Sequence, residues 1–155
     1  MSIKIIIDYR EKSLKDLFES NEDTSSQIFY ENLDIGDVHL VYNSTILNKS
    51  LDTSPDNPLI QVILERKTLN DLACSIKDGR YREQKMRLLK YREDNPHIKI
   101  LYILEGHYKK SASKYLAYKT FLSCLSNNMM RDGIFIVQSA DVNETANIIL
   151  NLATN

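Results

Sequence analysis

Apolar residues in this chain gather into short runs separated by capping residues, and the runs alternate between the two-residue and the 3.6-residue period. Residues 3 to 8, IKIIID, form a continuous β-branched run that predicts a buried strand delivering Asp8 to a sheet edge. Ser13-Leu-Lys-Asp16 then reads as a capping box opening a short helix through Phe18. Gln27 to Leu33 and Gly36 to Tyr42 read as two further strands, and the Asn, Ser, Asp and Pro cluster at 43–58 as a long surface loop or hairpin. Leu59 to Arg66 returns as an apolar strand that passes directly into Thr68-Leu-Asn-Asp71, a second capping box, before a helix carrying Leu72, Ala73 and Ile76. The basic stretch Arg80 to Arg92 reads as helical and stops before Pro96. Ile98 to Leu104 is a central strand, Tyr115 to Leu125 a helix and Ile134 to Val137 the last strand. Asp141-Val-Asn-Glu144 caps a final helix with Ala146, Ile149, Leu150 and Ala153 at helical spacing. Such alternation predicts an α/β layered domain.

Length and composition narrow the class. A chain of 155 residues, 43% hydrophobic and 26% charged, fits a single domain, 1–155, with its own core. Cys74 and Cys124 are far apart and form no CxxC unit, which excludes a zinc or disulfide framework; both are expected in the core of a protein kept reducing. The apolar runs are too short for a membrane span, and the charges of MSIKIIIDYRE fall where a signal peptide needs its apolar region, so an intracellular domain is expected. The net charge of −1 is silent about nucleic acid, but its distribution is uneven. Between Lys77 and Arg92 stand seven basic residues, Lys77, Arg80, Arg82, Lys85, Arg87, Lys90 and Arg92, against only Asp78 and Glu83.

The sharpest chemistry lies at Gly36-Asp37 and Glu65-Arg66-Lys67. Residues two apart on a strand share a face, so Glu65 and Lys67 project together, and pairing of the two strands would set Asp37 beside them. Crowded carboxylates repel unless a cation compensates, and hard oxygen ligands suit Mg²⁺, with Mn²⁺ as a substitute. Such an ion activates water and polarises a phosphodiester, while Lys67 would position the water or offset transition-state charge. Asp8 and Glu11 supply a second acidic pair that would complete the metal shell or hold a second ion.

A D…ExK pattern alone is short, and a solvated strand edge explains it as readily. The longer context is more specific: Gly36-Asp37, then Glu65-Arg66-Lys67-x-x-x-Asp71, then Asp78-Gly79-Arg80-x-x-x-Gln84, within IIIDYRE, ILERKTLNDLACSIKDGRYREQKMRL and DGIFIVQSADVNETANIIL. These strings resemble the nuclease domain of the XPF-type structure-specific endonucleases, with its GD…ERKxxxD signature, especially the crossover-junction branch. The resemblance implies a restriction-endonuclease-like fold, three-layer α/β/α with a central mixed sheet. It implies Mg²⁺-dependent hydrolysis at flaps, forks or junctions of DNA, with metal ligation through Asp37, Glu65 and the Arg66 backbone carbonyl; Asp8 and Glu11 also fit its pattern. It further implies a homodimer or heterodimer through the nuclease domain, residence in the nucleus for a cellular member and in the cytoplasm or nucleus for a viral one, and no membrane partner. Full-length members carry helix-hairpin-helix modules after this domain, and no GxG hairpin motif follows here. The inserted excursion at 43–58 departs from the pattern and leaves the strand register open. Two other functions stay in view: a non-catalytic DNA-binding partner subunit, against which the intact ERK speaks, and a phosphodiesterase of small nucleotides.

Several residues carry competing readings. Asp71 fits the signature, yet three residues after Thr68 it is also a capping position, and a structural role is favoured. Arg66 points away from Glu65 and Lys67, where its side chain would brace acidic residues. Arg80, Arg82, Lys85 and Arg92 define roughly one helical face for DNA phosphates, joined by Gln84, which stands four residues after Arg80; a solvated face is the alternative. For His39, His97 and His107 ordinary polar contacts are expected. Packing is expected for Tyr108, Tyr115 and Tyr118.

Overall fold

The computed structural model describes residues 3–21, 27–42, 59–112 and 114–154. Its strands are β1 (Ile3–Asp8), β2 (Ile28–Glu31), β3 (Val38–Tyr42), β4 (Leu59–Thr68), β5 (Lys99–Glu105) and β6 (Phe135–Ser139). Its helices are α1 (Lys12–Glu19), α2 (Leu69–Lys77), α3 (Arg80–Asp94), α4 (Tyr118–Ser126) and α5 (Val142–Thr154). The strands form one sheet in the order β2-β1-β3-β4-β5-β6. β3 runs antiparallel to both neighbours and the remaining pairs are parallel, so the sheet is mixed.

Strand alternation sorts the core into two layers. Ile5, Ile7, Val38, Leu40, Leu64, Leu101 and Ile103 face Leu14 and Phe18 of α1 and Ala146, Ile149 and Ala153 of α5. The opposite face carries Ile63, Ile100 and Tyr102 against Leu88 of α3, and Leu104 against Leu69, Leu72 and Ala73 of α2 and Phe121 of α4. The result is the three-layer α/β/α, restriction-endonuclease-like arrangement that the sequence pointed to. After its first residue β5 is buried throughout, as a central strand clad on both faces must be.

Some boundaries move for local physical reasons. α1 begins at Lys12, with Glu11 at its N-cap and no side-chain capping bond, so Ser13 lies inside the helix and the expected capping box does not form. The turn out of β1 is fixed instead by Asp8, whose carboxylate accepts the backbone N–H of Arg10 at 2.8 Å. α2 does begin as expected, with Thr68 Oγ1 accepting from the N–H of Asp71 at 3.1 Å. α4 starts at Tyr118 and widens at its end into a π-helical turn, Asn127–Arg131. Cys74 is exposed on α2, contrary to the core position expected of it. Segment 43–58 lies outside the described residues. Its two flanks are direct neighbours, however, since Tyr42 pairs with Leu59 and Val38 with Leu64 across a single irregularity after Leu40. That register places Asp37 and Glu65 at the same end of the sheet.

Candidate active site

Asp37 reaches its position because Gly36 precedes it. Gly36 has φ +72°, and a Cβ there would stand 2.4 Å from Ile63 Cγ2, so only glycine lets the chain pass this close over β4. Asp37 N–H then donates to Leu64 O and Asp37 O accepts from Asp8 N–H, both at 2.9 Å, which extends the ladder one residue past β3. Buried His39 holds the approach to this turn through a 2.7 Å bond between Nε2 and Ile35 O. Asp8, Asp37, Glu65 and Lys67 all fall on the α2/α3 face of the sheet, while Arg66 falls on the α1/α5 face.

The acidic groups divide sharply. The Asp37 and Glu65 carboxyls are close neighbours, and neither meets a cationic side chain within ion-pair distance among the described residues. Burial first, and the Glu65 charge second, push the Asp37 carboxyl up to about 8; burial likewise raises Glu65. Asp37 Oδ2 accepts from Arg66 N–H at 2.8 Å. The N–H and C=O of a strand residue point to the same side, so the Arg66 carbonyl opens towards Asp37 as well. Two carboxylates and a carbonyl thus converge as hard oxygen donors, a set that fits Mg²⁺ or Mn²⁺. Among the described residues no group of three His, Cys, Asp or Glu side chains converges at ligating distance.

Asp8, expected in that shell, is engaged elsewhere. Its Oδ1 accepts from the N–H and Nε of Arg10, its Oδ2 from Arg10 Nη2 and Leu33 N–H, and these bonds hold its carboxyl down at about 2. Just 1% exposed, it lies immediately beneath the Arg10 guanidinium that covers it. Glu11 is likewise turned towards Arg66, whose guanidinium bridges Glu11 Oε2 at 2.8 Å and both oxygens of buried Glu105. Burial and the nearby Asp37 charge raise Glu11. The bracing role expected of the Arg66 side chain is visible, and Glu105, one residue past the strand read from sequence, is its second partner.

Lys67 Nζ donates to Gln84 Oε1 at 2.9 Å and to Ser75 Oγ at 3.4 Å. An open cleft of about 540 Å³ lies over the acid pair, lined among others by Arg10, Gly36, Asp37, Glu65, Gln84 and Arg87. The basic helix contributes to it unevenly. Arg80 and Arg82 are exposed, Arg80 being tied to Asp78 at 2.7 Å. Lys85 and Arg92 are engaged by a distant turn rather than left free for phosphates. Lys85 is 8% exposed and bound to Asp132 at 2.8 Å, and Arg92 donates to the carbonyls of Asp132 and Gly133. Helical spacing gave them one face; the late turn at Asp132–Gly133 occupies it. Arg10 and Arg87, the cleft's two arginines, were not singled out from sequence. The signal was there for Arg87, three residues after Gln84 on the same helical side.

Comparison with known proteins agrees with this fold. A family model described as the ERCC4 domain matches residues 7–152. The human structure-specific endonuclease subunit MUS81 is 34% identical over 114 residues, 74% of this chain and 19% of that protein. The Emericella nidulans crossover junction endonuclease mus81 is 30% identical over 93% of this chain and 22% of its own length. The chain therefore spans about a fifth of the curated relatives it matches. Among solved structures, XPF from Aeropyrum pernix superposes with a TM-score of 0.70 at 25% identity over 97% of this chain and 60% of that one. The same protein solved in complex with DNA gives 0.68 at 24% identity and supports the fold. From fold, motif and match alike, the chain belongs to the ERCC4 domain family.

Proposed function

We propose that this chain is a metal-dependent, structure-specific DNA endonuclease domain that hydrolyses phosphodiester bonds at flaps, forks or junctions. The observation that carries the reading is the Asp37–Glu65 pair: two adjacent, part-buried carboxyls on the floor of an open cleft, with a lysine beside them and, among the described residues, no cationic side chain paired to either. Asp37, Glu65 and the Arg66 carbonyl hold Mg²⁺, or Mn²⁺ in its place. When bound, the ion supplies Lewis-acid polarisation of the phosphate and a more acidic water. Lys67 orients the attacking water or offsets charge developing on the phosphate. Arg66 and Glu11 brace the strand end from the other side of the sheet. Asp8 acts by fixing Arg10 at the cleft wall, since the bonds from Arg10 and Leu33 already engage both of its oxygens.

Phosphate contacts belong to the residues that reach the cleft or stay exposed beside it: Arg10, Arg80, Arg82 and Arg87. An intact acid pair speaks against a non-catalytic partner subunit. The human relative is termed a subunit, and a surface for a second chain is available here. Tyr118, Leu122 and Met129 form an exposed stripe along α4 and the turn after it, with Met130 86% and Phe135 58% exposed nearby. The apolar positions of α5 go largely to the core. No described helix is long and apolar enough to cross a membrane. A protein acting on DNA works wherever that DNA lies, in the nucleus or, for a viral member, also in the cytoplasm.

The test is cleavage of end-labelled flap, fork, linear duplex and dinucleotide substrates with Mg²⁺ or Mn²⁺, wild type against Asp37→Ala. Metal-dependent nicking of branched substrates that disappears in the variant is expected. Cleavage of dinucleotides alone would replace DNA as the substrate, and equal activity in the variant would remove the site.

A further inference from the structure

The cations near the site are held in two different ways. Arg10, Arg66 and Lys85 each pair with a carboxylate, at 2.9, 2.5 and 2.8 Å. No ion pair among the described residues includes Lys67. Its ammonium is held by two neutral acceptors, the amide oxygen of Gln84 on α3 and the hydroxyl of Ser75 on α2. Ser75 is 1% exposed and donates its own proton to Leu72 O at 3.1 Å, which fixes the hydroxyl with a lone pair left for Lys67. Gln84 uses its carbonyl oxygen on Lys67, and the residue lines both the cleft over Asp37 and Glu65 and the small cavity beneath that Lys67, Leu72 and Tyr81 share.

We infer that Ser75 and Gln84 are positioning residues for Lys67, a neutral cradle that fixes the ammonium beside the acid pair without cancelling its charge. A carboxylate in either place would hold the amine more tightly but would neutralise its field, the property by which a fixed cation stabilises charge developing on a phosphate. The chain turn serves the same end. Gly79, at φ +83°, lets α3 start directly after α2, and Asp78 accepts the Arg80 N–H at 3.0 Å, so the two acceptors arrive from successive helices on one lysine. Any ligand that engages Gln84 from the cleft therefore also acts on the position of Lys67. This role rests on the nuclease reading of Lys67 given above, whereas the cradle itself does not.

Two measurements test it. The first is independent of cleavage: in a ¹⁵N spectrum, the Lys67 ammonium protons should be protected from exchange in the wild type and lose that protection in Ser75→Ala and Gln84→Met, both checked for folding by thermal melting. Unchanged protection would overturn the cradle. The second is steady-state cleavage of a fork substrate with Mg²⁺, where Gln84→Met should lower kcat about tenfold with KM within about twofold. Gln84→Glu, which restores an acceptor but adds charge, should fail to rescue kcat. In a Lys67→Met background, Gln84→Met should cost nothing more, because both changes act through one group. A raised KM with kcat unchanged, or effects that multiply, would make Gln84 a direct DNA contact and overturn the positioning role. If the wild type cleaves no DNA, the nuclease reading fails, and the exchange measurement still decides the cradle.

Discussion

Asp8 and Asp37 stand at the same end of adjacent strands, on the same face of one sheet, and their chemistry is opposite. Asp8 accepts four hydrogen bonds from Arg10 and Leu33 and is held at about 2; Asp37, buried beside the Glu65 charge, is pushed up to about 8. One carboxyl has both oxygens engaged by donors; the other accepts the Arg66 N–H on one oxygen and has a second carboxyl beside it. Proximity to an active site does not make an acid a ligand; whether its lone pairs are already engaged decides.

Several experiments would break or sharpen that contrast. The largest effect is expected from Asp37→Asn, which should lower Mg²⁺-dependent cleavage about a thousandfold or more while the domain stays folded. Asp8→Asn should do the reverse in kind, lowering the denaturant midpoint by an amount equivalent to about 1–2 kcal/mol, with the exposure of Arg10 keeping the loss small. Its activity should fall only as far as Arg10 loses its place.

The pH dependence of stability without divalent metal separates the pair by sign. The folded-state value of Asp37 is raised, so the native state binds the extra proton and stability declines as pH rises from about 4 to 8. Asp8 is lowered, so its contribution is present above pH 4 and is lost as pH falls towards 2. Thermal melts of the metal-free protein should therefore show the neutral-side decline flattened in Asp37→Asn and the acid-side loss reduced in Asp8→Asn. A wild-type curve flat between pH 4 and 8 would mean that the acid pair is not strained.

The smallest effect is expected on DNA affinity, measured with the catalytic ion left out. Arg87→Ala should flatten the slope of log affinity against log salt by about 0.9. Lys85→Ala should leave that slope alone and instead destabilise the fold by about 1–2 kcal/mol, because Asp132 would lose its buried partner and keep only exposed Arg131.

The sequence made the fold and the acid pair legible for the same reason: both depend on strand alternation and on residues next to one another. IKIIID, ILERK and the Thr68 cap show their period directly, and Gly36-Asp37 shows a turn that only glycine permits. Partners distant in sequence left no such trace. Lys85 meets Asp132 across 47 residues, and Arg66 meets Glu105 across 39. Periodicity says which face a side chain takes, but not what stands opposite. Hence the helix of basic residues looked uniform, while the structure divides it between a cleft wall and a clamp on a distant turn. The start of α1 was misplaced for a related reason, since Asp8 and Arg10 set the turn before Ser13 could act as a cap.

The pairing of Tyr42 with Leu59 has one more consequence. Asp37 and Glu65 sit at one end of the β3–β4 pair, and the chain departs and returns at the other end, roughly 16 Å away at about 3.3 Å per strand residue. Length added at that point extends the connection between β3 and β4 at the end of the pair away from the chemistry. Evolution is free to insert sequence there, and a protein engineer seeking a place for a fluorophore, an affinity tag or a tether has the same freedom.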